Sequence, residues 1–248
     1  MRKHTIAAAF AVVTAVFGFA GPALADGYGD TAINSVVVNG TNRVAVGTTY
    51  AKTFTVKVTA TDDSGISGAD IYVYGPDSYL IPIKDESCTA SSATTSTCTA
   101  TFTVDPRVDF YDNTPAGTWY VDAWVDANDG DFFWSDKAGS FLMQRYSKLT
   151  TNATPEPVAK GRTVTVYGKL TRANWETSTY TGYTNQPVKL QFRTKSGTYG
   201  TVKTVYTGSG GALKTTVTAS VDGCWRWTFA GTATTPAVTS TGDCVDVQ

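Results

Sequence analysis

The sequence predicts an all-β fold, with two β-sandwich domains of the immunoglobulin type in tandem. Short segments alternate apolar and polar residues with a period of two, which places one face of each strand in a core. Clusters of Gly, Pro, Asn and Asp separate these segments and mark turns. No segment has a convincing helical period, and each half of the chain holds roughly the number of short strands that a sandwich domain needs.

The first residues have the pattern of a secretory signal peptide. A basic pair at positions 2–3 precedes an apolar segment at 6–20, and small residues at 23–25 offer a cleavage site. We therefore expect residues 1–25 to be removed and the mature chain to begin at Asp26. No later segment is apolar for long enough to cross a bilayer, so the sequence predicts a secreted, extracellular protein without a membrane span.

Export would leave the mature chain without a histidine and with its cysteines paired in disulfides. The single histidine, His4, lies in the predicted signal peptide, so the mature chain has no imidazole for acid–base catalysis or metal binding. An even number of cysteines in an exported chain predicts disulfides within each half, Cys88 with Cys98 and Cys224 with Cys244. A free thiol is then not expected, and short strands without long insertions offer little cleft for catalytic carboxylates. We expect the protein not to be an enzyme.

The two predicted domains differ in charge. Residues 26–147 carry 7 basic and 16 acidic side chains, a net charge of −9, whereas residues 148–248 carry 11 and 5, a net charge of +6. This asymmetry suggests that the halves have different partners or contact each other. The alternative is drift of solvated surface charge, which has no bearing on the fold. No nucleic-acid partner is expected.

The first domain, predicted at 26–147, has its clearest strand at residues 53–60. Phe54, Val56 and Val58 point inward there and alternate with polar residues. The same alternation and the intervening turns predict further strands at residues 33–38, 69–74, 79–83, 99–104, 117–125 and 140–146. The connection at 105–115 is long and polar.

The second domain, predicted at 148–248, begins with a linker. Pro155 and Pro157 place this linker at residues 148–158, where it merges into the next strand. Strands are predicted at residues 163–170, 187–193, 202–206, 213–219, 224–229 and 244–247. The connection at 171–186 is predicted to be a long polar loop with three large aromatic residues.

Acidic residues concentrate in two turns of the first domain. One turn follows the strand at 53–60, and the other, residues 126–131, follows the strand at 117–125. In a sandwich of the immunoglobulin type these two loops lie at the same end. Calcium takes about six to eight oxygen ligands in flexible geometry. The sequence therefore predicts a calcium site formed by Asp62, Asp63, Asp126, Asn128, Asp129 and Asp131. The alternative is that these residues serve only as turn formers.

Aromatic residues form the second candidate site. Of the strand residues Trp119, Trp225 and Trp227, at least two are expected in a core. The remaining aromatics are candidates for stacking on sugars or on a protein partner: Trp124, Phe132, Phe133, Trp134, Trp175, Tyr180 and Tyr183. The alternative is that they cap the end of a sandwich. The basic side chains of the second half face an anionic cell-wall polymer or are simply outward strand positions.

Several runs resemble modules of exported actinobacterial proteins. The runs ATDDSGISGADIYVYG and GTWYVDAWVDANDGD are similar to bacterial immunoglobulin-like domains. The runs PVKLQFRTKSGTYGTVKTV and DGCWRWTFAG are similar to immunoglobulin-like or prealbumin-like repeats. Together they resemble secreted two-domain proteins often labelled calcium-binding, which implies a fold and suggests calcium as a cofactor. An EF-hand does not explain that label, because a loop starting at Asp126 has Asp131 and Lys137 where Gly and Glu are required.

The sequence thus predicts a secreted, non-catalytic binding or structural protein with a calcium site in the acidic loops. The alternatives are a carbohydrate or cell-wall polymer binding module, and an accessory or inhibitor of a secreted enzyme that acts as a partner through the same loops.

Overall fold

The computed structural model describes residues 24–248, and the basic and apolar parts of the predicted signal peptide lie outside them. This part of the chain forms nineteen strands and two short 3-10 turns, Pro76–Ser78 and Ser209–Gly211, with no α-helix among the described residues. The predicted all-β, immunoglobulin-like sandwich class is therefore confirmed. No helix in residues 24–248 is long and apolar enough to cross a membrane.

The first half consists of two sheets that pack face to face. Its strands are β1 (Ala25–Tyr28), β2 (Ala32–Val38), β3 (Arg43–Val46), β4 (Lys52–Thr61), β5 (Ile66–Tyr74), β6 (Leu80–Ile81), β7 (Ile83–Ala90), β8 (Thr95–Val104), β9 (Gly117–Ala127) and β10 (Phe132–Arg145). One sheet has the order β1-β10-β9-β5-β6, with β3 beside β10, and the other has the order β2-β4-β8-β7. Inward residues of both sheets form one core, in which Phe54 lies between Phe102 and Phe141.

The second half repeats this arrangement with shorter strands. They are β11 (Ser147–Thr154), β12 (Thr163–Asn174), β13 (Thr179–Gly182), β14 (Pro187–Thr194), β15 (Gly200–Tyr206), β16 (Ala212–Thr218), β17 (Gly223–Phe229), β18 (Val238–Thr239) and β19 (Asp243–Val245). One sheet contains β11, β12, β13 and β16, and the other contains β15, β14, β17, β18 and β19. Trp225 and Trp227 are buried in the core between them, as Trp119 is in the first core.

Both disulfides join the predicted cysteines. Cys88 and Cys98 stand directly opposite each other on β7 and β8, and Cys224 and Cys244 stand opposite each other on β17 and β19. Described residues include no free cysteine. Two disulfides indicate that the protein resides in an oxidising environment outside the cytosol.

The structure corrects three predicted loops. Residues 148–154 of the predicted linker belong to β11, because each of them pairs with β12. The predicted polar loop at 171–186 contains the end of β12 and all of β13, which pair as a hairpin. The three aromatics after Asp131 belong to β10, which begins at Phe132, eight residues before the predicted strand.

The two cores are distinct, but the two halves of the chain are in contact. Only Tyr146 separates β10 from β11. The Arg145 guanidinium donates to the Ala173 carbonyl at 2.6 Å, and the Gln144 side chain donates to the Thr232 carbonyl at 2.8 Å. A domain boundary at residues 147 and 148 stays a prediction.

Candidate functional site

The acidic loops lie side by side at one end of the first sandwich. Residues 62–65 connect β4 to β5, and residues 128–131 connect β9 to β10. Asn128 ties the two loops together, since its backbone N–H donates to the Gly65 carbonyl and its side-chain amide donates to the Ser64 carbonyl, both at 2.9 Å. The adjacency that the sandwich topology predicted is present.

A third segment, between β1 and β2, completes this end of the sandwich. The backbone N–H of Asp30 donates to a carboxylate oxygen of Asp131 at 3.1 Å. Gly29 has a φ of +80°, and a Cβ there would lie 1.5 Å from that same carboxylate group, so only glycine fits. Sequence reasoning missed Asp30 because the Gly-rich segment before it has no alternating pattern that would place it in a sheet.

Five carboxylates converge where these three segments meet. One oxygen from each of Asp30, Asp62 and Asp63 lies within 4.8 Å of the others, and the same holds for Asp62, Asp129 and Asp131. Asp62 belongs to both groups. We call these five residues the carboxylate cluster.

Asp62 is the buried centre of the carboxylate cluster, with 3% of its surface exposed. Its carboxylate accepts hydrogen bonds from the Ser64 hydroxyl and the Thr31 hydroxyl, each at 2.6 Å, and from the Ser64 backbone N–H at 2.8 Å. These bonds, led by the Ser64 hydroxyl, lower the pKa of Asp62, so the residue keeps its charge despite its burial.

Asp30 shows the opposite electrostatic effect. Desolvation within the cluster, followed by the negative charge of Asp63, raises the pKa of its carboxyl. Asp62 therefore holds a negative charge within the cluster, whereas the carboxyl of Asp30 loses its proton less readily than usual because its pKa is raised. The donors are all hard oxygen atoms, which is the ligand chemistry of calcium rather than of a thiolate- or imidazole-binding metal.

Asp126 does not join the carboxylate cluster. The strand β9 continues to Ala127, two residues beyond the predicted strand, and its alternation turns Asp126 toward the outer face of the sheet. There the Trp124 indole N–H donates to the Asp126 carboxylate at 2.8 Å. Asp126, which was predicted to be a metal ligand, is therefore a hydrogen-bond acceptor for Trp124.

The outer face of this sheet carries aromatic and acidic side chains in rows. Across the strands, Trp134 stands opposite Trp124, which stands opposite Asp70. In the next row Asp122 stands opposite Tyr72. Because paired residues point to the same side of a sheet, these residues and Phe132 share one surface. The aromatic–acidic face is defined by Asp70, Tyr72, Asp122, Trp124, Phe132 and Trp134.

Specific contacts hold the rings of the aromatic–acidic face in place. Trp124 and Phe132 are stacked, with ring centroids 4.6 Å apart and planes 8° from parallel. The Trp134 indole N–H donates to the Asp122 carboxylate at 2.8 Å. Trp124 is 36% exposed and Tyr72 is 47% exposed, so solvent reaches this surface.

The other predicted ligand-binding aromatics lie elsewhere. Phe133 pairs with the buried Val125 and so points to the opposite side of the sheet from Trp124. Trp175 is buried in the first core, where its indole N–H donates to the Gly47 carbonyl at 2.9 Å. Packing of Trp175 against Phe110, at 4.4 Å between ring centroids, removes it from the set of exposed aromatics.

The remaining two tyrosines each pack against a basic side chain. Tyr180 lines an open cleft of about 330 Å³ between the two halves, with the Lys148 ammonium 3.6 Å from its ring centre. Tyr183 lies under the Arg172 guanidinium, 3.8 Å from its ring centre, and contacts Phe229 edge-on. They do not form a common surface with Trp124.

Comparison with known proteins gives no family. No protein-family model matches the chain, and no curated protein matches it. Among solved structures, a DUF4785 family protein from Legionella pneumophila has 12% identity and a TM-score of 0.40, over 87% of this chain and 56% of that protein. The Yersinia pseudotuberculosis adhesin InvE has 15% identity and a TM-score of 0.28, over 87% and 58%.

The D0-D1 domain of intimin has 14% identity and a TM-score of 0.30, over 86% of this chain and 98% of that domain. The chain therefore spans a little over half the length of the Legionella protein and of InvE. At these low scores the similarities carry no functional argument.

Proposed function

We propose that the protein is a non-catalytic, exported binding protein whose carboxylate cluster holds one calcium ion. The observation that carries this proposal is the convergence of five carboxylates from three segments around the buried, ionised Asp62. Such a group repels itself until a cation joins it. The ligands would be the carboxylates of Asp30, Asp62, Asp63, Asp129 and Asp131.

The non-catalytic assignment rests on the side chains that the mature chain offers. The only histidine precedes the predicted mature start, and all four cysteines form disulfides. The usual imidazole base and thiolate nucleophile are therefore not available within residues 24–248. The surface features point to binding instead.

Calcium would act here by joining the loops. The carboxylate cluster links the segment before β2, the β4–β5 loop and the β9–β10 loop. A cation that binds only the folded state stabilises it by about 1.4 kcal/mol at a tenfold excess over Kd and about 2.7 kcal/mol at a hundredfold excess. Extracellular calcium modules bind at about 0.1–1 mM, so millimolar calcium should act on this end of the sandwich.

The first prediction concerns calcium and the melting temperature. We expect Tm to rise with millimolar calcium, less with magnesium, and not with sodium at matched ionic strength. The double substitution Asp63→Asn with Asp129→Asn should abolish the rise, because both carboxylates are exposed members of the cluster. Thermal unfolding followed by circular dichroism measures both effects.

Two control variants sharpen this test. Asp77→Asn with Asp85→Asn removes the same charge from exposed positions outside the cluster and should leave the calcium response intact. Asp126→Asn should also leave it intact, because Asp126 accepts from Trp124 instead. A wild-type melting curve that ignores calcium up to about ten times that affinity range would mean that these acids are only turn residues.

A second candidate function is binding of a carbohydrate, a cell-wall polymer or another secreted protein through the aromatic–acidic face. The observation that favours it is the stacking of Trp124, which is 36% exposed, on Phe132. Aromatic rings held in place by neighbours lose little entropy when a ligand stacks on them. This function is compatible with calcium binding, because the two sites use different residues.

A further inference from the structure

We infer that the aromatic–acidic face binds cationic groups, and that its partner is a segment of another protein rich in lysine and arginine. This inference rests on the proposed role as a binding protein, but it does not depend on the calcium ion. Stacking on the aromatic rings alone does not distinguish a carbohydrate from a protein partner, whereas the charge of the face identifies a positively charged one.

The charge of the face is strongly one-sided. Asp70, Asp122 and Asp126 occupy outward positions on β5 and β9, and Asp26 stands opposite Trp134 on β1. No lysine or arginine stands at an outward position on these three described strands. A positively charged partner is therefore attracted to these strands. On β10, which carries Phe132 and Trp134, Lys137 is the basic side chain nearest the face, and its ammonium lies over the Tyr120 ring.

The hydrogen-bonding groups of the face also favour a cation. An ionised carboxylate only accepts hydrogen bonds, while an ammonium or guanidinium group only donates them. A sugar hydroxyl both donates and accepts hydrogen bonds. Beside several ionised carboxylates its oxygen would find no donor, because these groups only accept. Asp122 and Asp126 each use one oxygen to accept from an indole N–H, which leaves the second oxygen of each for a ligand.

The aromatic rings of the face can also bind cations, through cation–π contacts. A lysine or arginine side chain is attracted to the face of an aromatic ring within about 6 Å of its centre. The sheet already accommodates such a contact next to the aromatic–acidic face, where the Lys137 ammonium lies 5.3 Å from the centre of the Tyr120 ring. Tyr120 stacks obliquely on Tyr74 in the row beyond Tyr72, so the aromatic surface extends in that direction.

The electrostatics of Asp122 agree with this geometry. Burial, followed by the charge of Asp136, raises the pKa of the Asp122 carboxyl, although the Trp134 indole N–H partly offsets that rise. A bound cation would favour the ionised form and remove this penalty. An extended segment with several positive charges would engage Asp70, Asp122 and Asp126 together.

The test uses lysine and arginine octapeptides as probes, with a neutral Gly/Ser peptide and maltoheptaose as comparison ligands. Binding is measured by isothermal titration and tryptophan fluorescence in calcium-depleted buffer at low ionic strength. We expect the basic peptides to bind and the neutral ligands not to bind. The double substitution Asp70→Asn with Asp122→Asn should weaken binding by about tenfold or more, since close charge pairs at interfaces are worth that much.

Matched controls separate the face from net charge and from folding. Asp77→Asn with Asp85→Asn makes the same change in charge at exposed positions outside the face and should bind like the wild type. Asp122→Asn retains an oxygen that can accept from the Trp134 indole N–H, so this variant should stay folded. Trp124→Ala should weaken binding, whereas Tyr111→Ala, which removes an 81% exposed ring elsewhere, should not.

Four results would overturn the inference. If Asp70→Asn/Asp122→Asn and Asp77→Asn/Asp85→Asn weaken peptide binding equally, net charge alone explains the binding. If the basic peptides do not bind at low salt, the face does not bind cationic groups. Binding of maltoheptaose that Trp124→Ala abolishes would assign the face to a glycan, and the proposed binding function would still stand. Self-association abolished by the Asp70→Asn/Asp122→Asn pair would assign the face to the basic half of a second copy. The calcium response of the same variants tests the proposed calcium site separately.

Discussion

At the scale of single residues, the pKa values of the buried Asp62 and the partly buried Glu86 shift in opposite directions. Asp62 accepts three hydrogen bonds, which lower its pKa. Glu86, on β7, has a carboxylate oxygen that is buried without a hydrogen-bond partner. Burial, followed by the charge of Asp70, raises the pKa of Glu86 to about 7, against an opposing effect of the Ile71 backbone N–H. Asp62 remains charged because its carboxylate accepts several hydrogen bonds, and Glu86 holds its proton to higher pH because its carboxylate accepts fewer.

The pKa of Glu86 leads to a prediction about stability and pH. Its ordinary pKa is 4.5 and its folded pKa is about 7, so between these values the folded chain holds a proton that the unfolded chain has lost. The stabilising contribution is complete below the lower value and is lost as pH rises through the upper one. Because Glu86 is only partly buried, solvent screening keeps the effect to about 1 kcal/mol or less.

Glu86→Gln should remove this dependence. The free energy of unfolding of the wild type should fall relative to the variant between about pH 4.5 and pH 7, which urea titrations across that range would measure. Glu176→Gln, at an exposed turn position, is the control and should follow the wild type. Parallel curves for wild type and Glu86→Gln would contradict the pKa assigned to Glu86.

At the scale of secondary structure elements, the sequence predicted the strands that have a regular pattern and missed those that do not. Residues 53–60 alternate cleanly, and β4 extends one residue beyond that prediction at each end. In contrast, β1 contains Gly27 and is exposed throughout, and β3 has only four residues, so neither carries a periodic signal. Partner strands define these elements, because β10 supplies the hydrogen bonds of both.

The candidate sites follow the same rule. The adjacency of the two acidic loops could be predicted, since it depends on the order of strands in a sandwich. The contribution of Asp30 could not, since it depends on the pairing of β1 with β10. The sequence also grouped Phe133 with Trp124, but a residue's side of a sheet is set by its register, and Phe133 pairs with the inward Val125.

The β7–β8 hairpin gives a prediction about an element. The strand β7 pairs only with β8 and is exposed along most of its length, so few buried contacts hold it. The Cys88–Cys98 disulfide therefore has a large share in fixing this edge strand. Cys88→Ser with Cys98→Ser should lower stability by about 2–4 kcal/mol and speed hydrogen exchange in residues 83–90.

The control for this hairpin is the second disulfide. Cys224→Ser with Cys244→Ser should destabilise β19 and leave exchange in residues 83–90 unchanged, because that bridge joins β17 to β19. Exchange measured by mass spectrometry resolves the two regions. If exchange in β7 is the same with and without the Cys88–Cys98 bridge, pairing with β8 alone holds the strand.

At the scale of the whole molecule, the opposite charges of the halves do not explain how they join. The contacts that cross between them include hydrogen bonds to carbonyl groups, such as Gln144 Nε2 to Thr232 O at 2.8 Å, together with the packing of Ala173, Trp175 and Tyr180 in the core of the first half. Trp175 follows β12 in the basic half, yet its side chain is part of the core of the acidic half. The negative charge of the first half is therefore not used in joining the halves. It can attract a positively charged partner to the aromatic–acidic face.

Trp175 should therefore couple the unfolding of the two halves. Removing its side chain leaves a cavity next to Phe110 and loses the hydrogen bond to the Gly47 carbonyl, and large-to-small changes of this kind cost about 3–5 kcal/mol. We expect Trp175→Ala to lower the stability of the acidic half more than that of the basic half, and to separate one calorimetric transition into two. Trp124→Ala, which removes a 36% exposed ring, is the matched control and should cost about 1 kcal/mol without separating the transition. A single transition for Trp175→Ala, shifted no more than that of Trp124→Ala, would show that the two halves are not coupled through this side chain.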